Sequence, residues 1–144
     1  MEERLLEAWI RLSSCIWNRR LVSGMSYNEA LVLNLLNKQK NREKYYTATE
    51  LCELTNLLKS QMNRTLSQME DKGLIRRMRS SEDKRNVYIM LTDEGHQAYL
   101  KEHEEAMEIV ARVVRRLGEE KTKQVTEVFN EATEAFKDAA VERK

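Results

Sequence analysis

Apolar residues recur along the chain at two spacings, one typical of helices and the other of strands. Helical spacing marks residues 3–21, where Leu5, Trp9, Leu12 and Ile16 form one stripe. The same spacing returns in five later segments, about 26–36, 48–54, 59–72, 93–117 and 119–141. Strand-like alternation occurs in Leu74–Arg79 and Asn86–Leu91, which a charged loop joins. The pattern predicts a mainly helical chain with one small β-hairpin.

The first helix has an unusually wide apolar face, because Leu6, Ile10 and Trp17 lie beside the main stripe. A wide face with two tryptophans on a terminal helix is typical of a surface that packs against its own domain and against a partner. Packing within the core alone explains the same pattern. Both interpretations remain open at this point.

Two capping boxes predict where helices begin. Ser26 is followed three residues later by Glu29, and Thr47 by Glu50, so each pair can satisfy two free backbone N–H groups. The first of these helices is apolar almost all round, as expected of a central buried helix. The polar segment 37–46 between the two helices is predicted to be a loop, with a short strand at its end.

The next two helices are short and lie close together. The inward positions predicted for the first are Ala48, Leu51 and Leu54. Asn56 follows, and asparagine readily adopts the left-handed conformation that ends a helix. The buried edge predicted for the second helix consists of Met62, Leu66 and Met69, and the rest of that helix is polar. This is the helix-turn-helix arrangement, in which the second helix offers its polar face to the major groove of DNA.

The charge distribution agrees with a nucleic-acid partner. Residues 59–85 hold eight Lys or Arg against four acids, although the whole chain of 144 residues has a net charge of only +1. Phosphate binding requires a concentrated basic patch rather than a basic protein. A solvated surface of mixed charge is the alternative explanation.

Length and composition limit the class of protein. One domain is expected for 144 residues, and the absence of proline with only four glycines favours long helices. The chain contains no run of about 18 apolar residues, so no membrane span is predicted. Its acidic N-terminus is unlike the basic start of a signal peptide. Cys15 and Cys52 lie far apart, so we expect free thiols and a cytoplasmic location.

Residues for catalysis or metal binding are not evident. The chain has no catalytic triad, no glycine-rich phosphate loop and no zinc-type CxxC pair, so neither an enzyme nor a cofactor is expected. His96 and His103 are seven residues apart, but no third metal ligand can be assigned, so no metal site is predicted.

The second of the two short helices and the segment that follows it carry a resemblance to a known family. The helix contains Lys59-Ser60-Gln61, Arg64 and the start of Met69-Glu70-x-x-Gly73-Leu74-Ile75-x-Arg77, and the hairpin continues with Asp83-x-Arg85-x5-Leu91-Thr92-x-x-Gly95. These motifs resemble the MarR family of bacterial transcriptional regulators, and the resemblance extends over the order of the flanking helices. It implies a winged helix-turn-helix fold and a homodimer that represses transcription at a pseudo-palindromic operator until a small-molecule effector relieves it.

The resemblance implies which residues contact double-stranded DNA. By position these are Lys59, Ser60, Gln61, Asn63, Arg64, Arg77, Lys84 and Arg85. Gln and Asn can pair with adenine and Arg with guanine, while Arg85 at the wing tip would enter the minor groove. Asp83 would orient the wing, in this family typically through an ion pair. One departure is Leu58, which occupies the cap position where Ser or Thr is usual and which costs roughly 0.5–2 kcal/mol of helix stability.

The same resemblance implies a division of the chain and a site for an effector. Residues of about 26–92 would form the DNA-binding lobe, and about 1–22 and 93–144 the dimerisation helices. The residues expected to line a pocket for a small hydrophobic or phenolic effector are Trp17, Leu21, Met25 and Tyr27. These four side chains fit ordinary core positions equally well.

Two alternative functions remain. A peroxide-sensing branch of the family uses a cysteine in the first helix, and Cys15 has Arg11 and Arg19 one turn away on either side. A buried structural thiol explains Cys15 without any sensing role. The other alternative is a winged-helix protein-interaction module that no longer binds DNA.

Overall fold

Helices make up most of the structure, a computed structural model that describes residues 1–18, 24–39 and 44–141. The elements of these residues are α1 (Glu2–Asn18), α2 (Tyr27–Gln39), β1 (Tyr46–Thr47), α3 (Ala48–Thr55), α4 (Lys59–Asp71), β2 (Ile75–Arg79), β3 (Val87–Leu91), α5 (Asp93–Leu117) and α6 (Glu119–Val141). The predicted mainly helical fold with a hairpin is confirmed. None of the helices in the described ranges is long and apolar enough to cross a membrane.

The chain divides into two compact units, Met1–Ala106 and Met107–Lys144. The first unit contains a three-stranded antiparallel sheet in the order β1-β3-β2. Ile89 of β3 pairs with Tyr46 on one side and with Arg77 on the other. Strand β2 is therefore an edge of the sheet, and β2 and β3 form the predicted hairpin.

The core of the first unit lies between the sheet and helices α2, α3 and α4. Its buried apolar residues are Val32, Leu33, Leu36, Leu51, Met62, Leu66, Met69, Leu74, Ile75 and Ile89. The predicted buried edge of α4 is thus confirmed, as is the inward position of Leu51. The prediction for Leu54 is wrong, because that side chain is 53% exposed. Helix α3 ends at Thr55, and the half-buried Leu57 after the turn packs against the core instead.

Helix α2 is longer than predicted. It continues to Gln39, although residues 37–46 were expected to form a loop. Gln39 is buried, and its amide accepts a hydrogen bond from the backbone N–H of Tyr46 at 3.0 Å and donates one to the carbonyl of Lys44. The last residue of α2 is therefore a buried polar side chain that bonds the backbone before β1, and it carries no apolar signal that would mark a helix in the sequence.

Both capping boxes form as predicted. The hydroxyl of Ser26 accepts from the backbone N–H of Glu29 at 3.2 Å, and the Glu29 carboxylate accepts from the Ser26 N–H at 3.0 Å. Thr47 and Glu50 make the same pair of bonds at the start of α3. The backbone hydrogen bond from Thr47, together with the nearby ammonium of Lys44, lowers the pKa of Glu50 against the opposing effect of burial. Charge at the helix N-terminus therefore stabilises α3.

Several helices present apolar residues to solvent. On α1 these exposed residues are Leu5, Leu6, Trp9, Ile10, Leu12 and Ile16. In the second unit they are Met107, Val110, Val113, Leu117, Val125, Val128, Phe129 and Phe136. Single exposed apolar residues are normal on a protein surface, but faces of this size are typical of interaction surfaces.

Candidate nucleic-acid interface

Helix α4 has one buried edge and one exposed polar face. Met62, Leu66 and Met69 are fully buried against the core, and this fixes the rotation of the helix about its axis. All five residues predicted on α4 for DNA contact are exposed, namely Lys59, Ser60, Gln61, Asn63 and Arg64. The structure therefore places a row of hydrogen-bonding and cationic side chains on the solvent side of a firmly packed helix.

A tight turn joins α3 to α4. Asn56 adopts the left-handed conformation with φ of 57°, as predicted. The hydroxyl of Thr55 donates to the carbonyl of Leu51 at 2.7 Å and accepts from the backbone N–H of Leu57 at 3.3 Å. These bonds close the end of α3 and set the direction in which α4 leaves the turn.

The start of α4 is capped from one side only. Leu58 occupies the cap position with an extended backbone and has no side-chain acceptor for the first N–H groups of the helix. The side-chain oxygen of Gln61 accepts instead from the backbone N–H of Leu58 at 2.9 Å. Gln61 thus caps the helix as well as lying on its exposed face. Its hydrogen-bond partner also fixes which amide atom is the oxygen.

The other end of α4 is anchored to α2 by an ion pair. The ammonium of Lys72 lies 2.9 and 3.0 Å from the two carboxylate oxygens of Glu29, which is only 2% exposed. Lys72 itself is half-exposed. A buried carboxylate requires such a partner, so this pair holds the recognition-helix candidate on the helix behind it. The cap at Glu29 was predicted, but its pairing with Lys72 was not, because 43 residues separate the two groups.

The base of the hairpin is fastened to the start of α5. The hydroxyl of Thr92 donates to the carbonyl of Gly73 at 2.6 Å and accepts from the backbone N–H of Gly95 at 3.0 Å. The backbone N–H of Thr92 also donates to the carbonyl of Leu74 at 3.1 Å. Gly95 is buried, and a Cβ at that position would overlap the same Leu74 carbonyl. The spacing Thr92-x-x-Gly95 thus reflects close packing of backbone on backbone.

The tip of the wing is organised by side chains that bind backbone groups. The Asp83 carboxylate accepts from the backbone N–H of Arg85 at 3.0 Å and lies 3.5 Å from the amide nitrogen of Asn86. The hydroxyl of Ser80 accepts from the N–H groups of Glu82 and Asp83. Asp83 thus binds the backbone N–H of Arg85, whereas the resemblance implies an ion pair for this residue. The side chains of Lys84 and Arg85 are exposed.

Arg77 differs from the other predicted contact residues. Its side chain is 30% exposed and reaches α4, where it contacts Asn63, Ser67 and Glu70. Two further cations on β2, Arg76 and Arg79, are exposed and had no assigned role. The alternation of side chains along a strand could have located them, because it places Arg79 on the same face of β2 as Arg77 and Arg76 on the opposite face.

The predicted effector residues are only partly within the described ranges. Leu21 and the side chain of Trp17 lie outside them. Met25 is half-buried and packs against the core, whereas Tyr27 is half-exposed. The expectation of a shared pocket therefore stays a prediction.

The cysteines and histidines lie in separate environments. Cys15 is an exposed free thiol on α1, and Cys52 is a half-buried free thiol beside the core. The Nδ1 atom of His96 is 2.9 Å from the amide oxygen of Asn37, and the ring of His103 stacks on Tyr99. Across the described ranges, no three His, Cys, Asp or Glu side chains are grouped so that they could hold a metal ion.

Solved structures similar to this chain include transcriptional regulators. Sco3205 of Streptomyces coelicolor, a MarR-family regulator crystallised with DNA, aligns with a TM-score of 0.79 at 23% identity over 93% of this chain and 86% of its own. FabT of Streptococcus pneumoniae, also crystallised with DNA, aligns with a TM-score of 0.76 at 16% identity over 96% of this chain and 99% of its own. PcaV of Streptomyces coelicolor, in complex with its natural ligand, aligns with a TM-score of 0.72 at 20% identity over 91% of this chain and 90% of its own. These likenesses establish the fold.

Sequence comparison identifies the family. No curated protein sequence matches the chain. A family profile described as transcriptional regulator SarA/Rot matches residues 20–102, which is more than half of the chain and includes the helix-turn-helix, the wing and the start of α5. The protein therefore belongs to the SarA/Rot family of transcriptional regulators, with the winged helix-turn-helix fold of the MarR regulators that its motifs resemble.

Proposed function

We propose that the protein is a sequence-specific DNA-binding regulator that acts in a bacterial cytoplasm as a homodimeric repressor. The exposed polar face of α4 carries the proposal, because the opposite edge of that helix is fully buried and cannot be the contact surface. The DNA complexes of Sco3205 and FabT, two proteins of the same fold, support it.

Each exposed residue of this face has a role that its chemistry suits. Asn63 can bind an adenine edge and Arg64 a guanine edge in the major groove. The side chains of Lys59 and Ser60 can bind phosphate. The backbone N–H groups of the first turn can do so as well, because the side chain of Leu58 does not cap them. Gln61 can donate its amide N–H to a base while its oxygen remains on the helix cap.

The wing supplies the second contact. Lys84 and Arg85 lie at the exposed tip of the hairpin, and Asp83 orders the backbone between them. An arginine in a narrow A·T-rich minor groove gains from the negative potential there. Asp83 is therefore assigned to orient the wing and Arg85 to contact DNA.

Salt dependence tests the wing assignment. Binding of DNA from upstream of the protein's own gene would be measured by gel shift across a range of salt concentrations. Arg85→Ala should weaken binding and reduce the slope of log affinity against log salt by about one, because one phosphate-neutralising cation is lost. The control is Lys121→Ala, an exposed cation on α6. Equal slopes for Arg85→Ala and the control would refute the wing contact.

The exposed apolar faces support a homodimer. Val128 of α6 is 58% exposed and Phe129 is half-exposed, and helix α1 leaves its own stripe exposed. A second copy of the chain would remove this surface from water, and a two-fold dimer matches a palindromic operator. The proposed division is thus a DNA-binding lobe at about 26–92 and dimerisation helices at about 1–22 and 93–144.

Analytical ultracentrifugation tests the dimer. Val128→Asp should shift the protein towards monomer and weaken DNA binding at the same time, because one copy reads only half a site. Thr126→Asp introduces the same charge at an exposed polar position of the same helix and should leave the dimer intact. A Val128→Asp protein that remains as dimeric as the control would contradict this part of the proposal.

The finer proposal is relief of repression by a small hydrophobic or phenolic effector. The PcaV structure, a protein of the same fold in complex with its natural ligand, supports it, as does the half-buried apolar side chain of Met25 against the core. A panel of phenols and benzoates would be tested for release of bound DNA. We expect a member of the panel to release DNA from the parent protein but not from Met25→Ala. Release that is unchanged in this variant would place the site elsewhere.

A further inference from the structure

Arg77 joins the wing to the recognition helix by both its backbone and its side chain. Strand β2 is an edge of the sheet, and the backbone N–H of Arg77 lies 3.4 Å from Oε1 of Glu70. The guanidinium Nη2 donates to the hydroxyl of Ser67 at 2.9 Å and lies 3.4 Å from the carbonyl of Asn63. Its Nε lies 3.4 Å from Oε2 of Glu70, an ion-pair distance at an angle that makes no hydrogen bond. One residue of the wing thus spans two turns of α4.

These contacts are directed at the part of α4 that faces DNA. Asn63, whose carbonyl lies near the guanidinium, carries one of the proposed base-contacting side chains. Ser67 lies one turn further along the same side of the helix. A guanidinium has five donors in a rigid plane, so it can hold several groups of a helix in one geometry, which a lysine ammonium cannot do.

The contacts also lower the capacity of Arg77 to bind phosphate. Its side chain is 30% exposed and that of Glu70 is 44% exposed, so the pair lies at the surface and is partly neutralised. Surface ion pairs contribute little to overall stability. A local role, which fixes the angle between two adjoining elements, agrees better with this geometry than a global one.

We propose that Arg77 is a positioning residue for DNA recognition, which with Glu70 fixes the wing relative to α4 so that Arg85 and the base-contacting face of α4 reach DNA together. This inference rests on the proposed DNA-binding function. It replaces the direct DNA contact expected for Arg77 from the resemblance. It also gives a physical reason for the motif Glu70-x-x-Gly73-Leu74-Ile75-x-Arg77, whose first and last residues contact each other.

A charge change at Glu70 separates the two roles of Arg77. If Arg77 bound phosphate, Glu70→Gln would free the guanidinium and remove a negative charge near DNA, so binding would tighten. If Arg77 positions the wing, Glu70→Gln removes the carboxylate charge that faces the guanidinium, and binding weakens although a negative charge near DNA is lost. The matched control is Asp71→Asn, which removes an exposed negative charge from the next position of the same helix.

The experiment measures affinity for the upstream DNA against salt concentration. Glu70→Gln and Arg77→Lys should each weaken binding about threefold to tenfold, the range expected for loss of one or two charge-assisted contacts, with the salt slope unchanged. Asp71→Asn should bind as tightly as the parent or more tightly. Arg85→Ala, in contrast, should reduce the slope by about one.

Two results would overturn the inference. Tighter binding by Glu70→Gln, equal to that of Asp71→Asn, would show that the Glu70 contact does not position the wing. A slope reduced by about one in Arg77→Gln would show a direct phosphate contact. Parent protein that binds no DNA would refute the proposed function itself. In that case, amide exchange of residues 75–91 still tests whether Glu70 and Arg77 hold the wing on α4, since Glu70→Gln should accelerate exchange there and Asp71→Asn should not.

Discussion

Replacement of Gly95 by alanine tests the close packing at the base of the wing. A Cβ on Gly95 would overlap the carbonyl oxygen of Leu74 and lie 2.7 Å from Cδ1 of Leu91. Carbon atoms in good contact are about 3.5–4.0 Å apart, so the start of α5 would have to move by about 1 Å. Such a movement would separate α5 from the hairpin that it supports.

The expected cost follows from the contacts that this movement disturbs. Overpacking of a well-packed site costs about 1–3 kcal/mol. The Thr92 hydrogen bonds to the carbonyls of Gly73 and Leu74, at 2.6 and 3.1 Å, would be stretched, at about 1 kcal/mol each. Together Gly95→Ala should lower the free energy of unfolding by about 3–5 kcal/mol, a large part of a typical total of about 5–15 kcal/mol.

Urea denaturation followed by circular dichroism measures this cost. The matched control is Gly118→Ala, where a Cβ meets nothing within 4 Å but φ is +82°. The left-handed backbone alone should cost about 1–2 kcal/mol there. A Gly95→Ala protein no less stable than Gly118→Ala, at equal dependence on urea, would refute the argument from packing.

Three further substitutions test local features of the first unit by their effect on the free energy of unfolding. Leu58→Ser should complete the half-formed cap of α4 and stabilise the protein by about 1 kcal/mol; no gain would mean that the first turn needs no cap. Lys72→Met should cost about 2–3 kcal/mol, because it removes the only cation that the described residues place at the buried carboxylate of Glu29 and leaves it the Ser26 N–H alone. A cost below that of Glu29→Gln would contradict this. The pKa of Glu50 in the folded protein is lowered below its ordinary 4.5, so its stabilising contribution is present above pH 4.5 and is lost as the pH falls through the folded pKa. Glu50→Gln should remove this part of the acid sensitivity of the free energy of unfolding. An unchanged pH profile would refute it.

The regular parts of the fold were predictable because their signals are local. Capping boxes, the apolar edge of α4 and the alternation of β3 each involve residues a few positions apart, so the periodicity and spacing alone revealed them. The wing motif was also readable, although the reason for its Gly95 was not. That reason is a contact with Leu74, a residue 21 positions earlier that only the folded chain brings close.

The remaining features depend on contacts that a sequence pattern does not show. Leu54 is apolar and lies at helical spacing, but α3 ends one residue later, so Leu57 fills the core instead. Gln39 is polar and was predicted to lie in a loop, but it is buried at the end of α2, where its amide bonds backbone groups of Lys44 and Tyr46. Arg77 was counted as a cation for DNA, since the sequence gives its charge but not the direction in which the guanidinium lies.

The candidate DNA interface was predictable as a surface and less so as a set of contacts. The exposed face of α4 follows from which edge is buried, and that edge was evident from Met62, Leu66 and Met69. The engagement of Gln61 with the Leu58 N–H was not evident, because a missing cap does not reveal which group replaces it. Asp83 likewise orders the wing tip through backbone hydrogen bonds rather than through the expected ion pair.

Selection of bound sequences from a pool of random double-stranded DNA tests the central claim most directly. A homodimer that reads DNA with α4 and the wing should enrich an inverted repeat, with half-sites centred about one helical turn apart. Substitution of Asn63 or Arg64 by alanine should relax the base preference at single positions within each half-site. A selected pool with no sequence enriched over the starting pool would contradict the claim that this face of the protein recognises DNA.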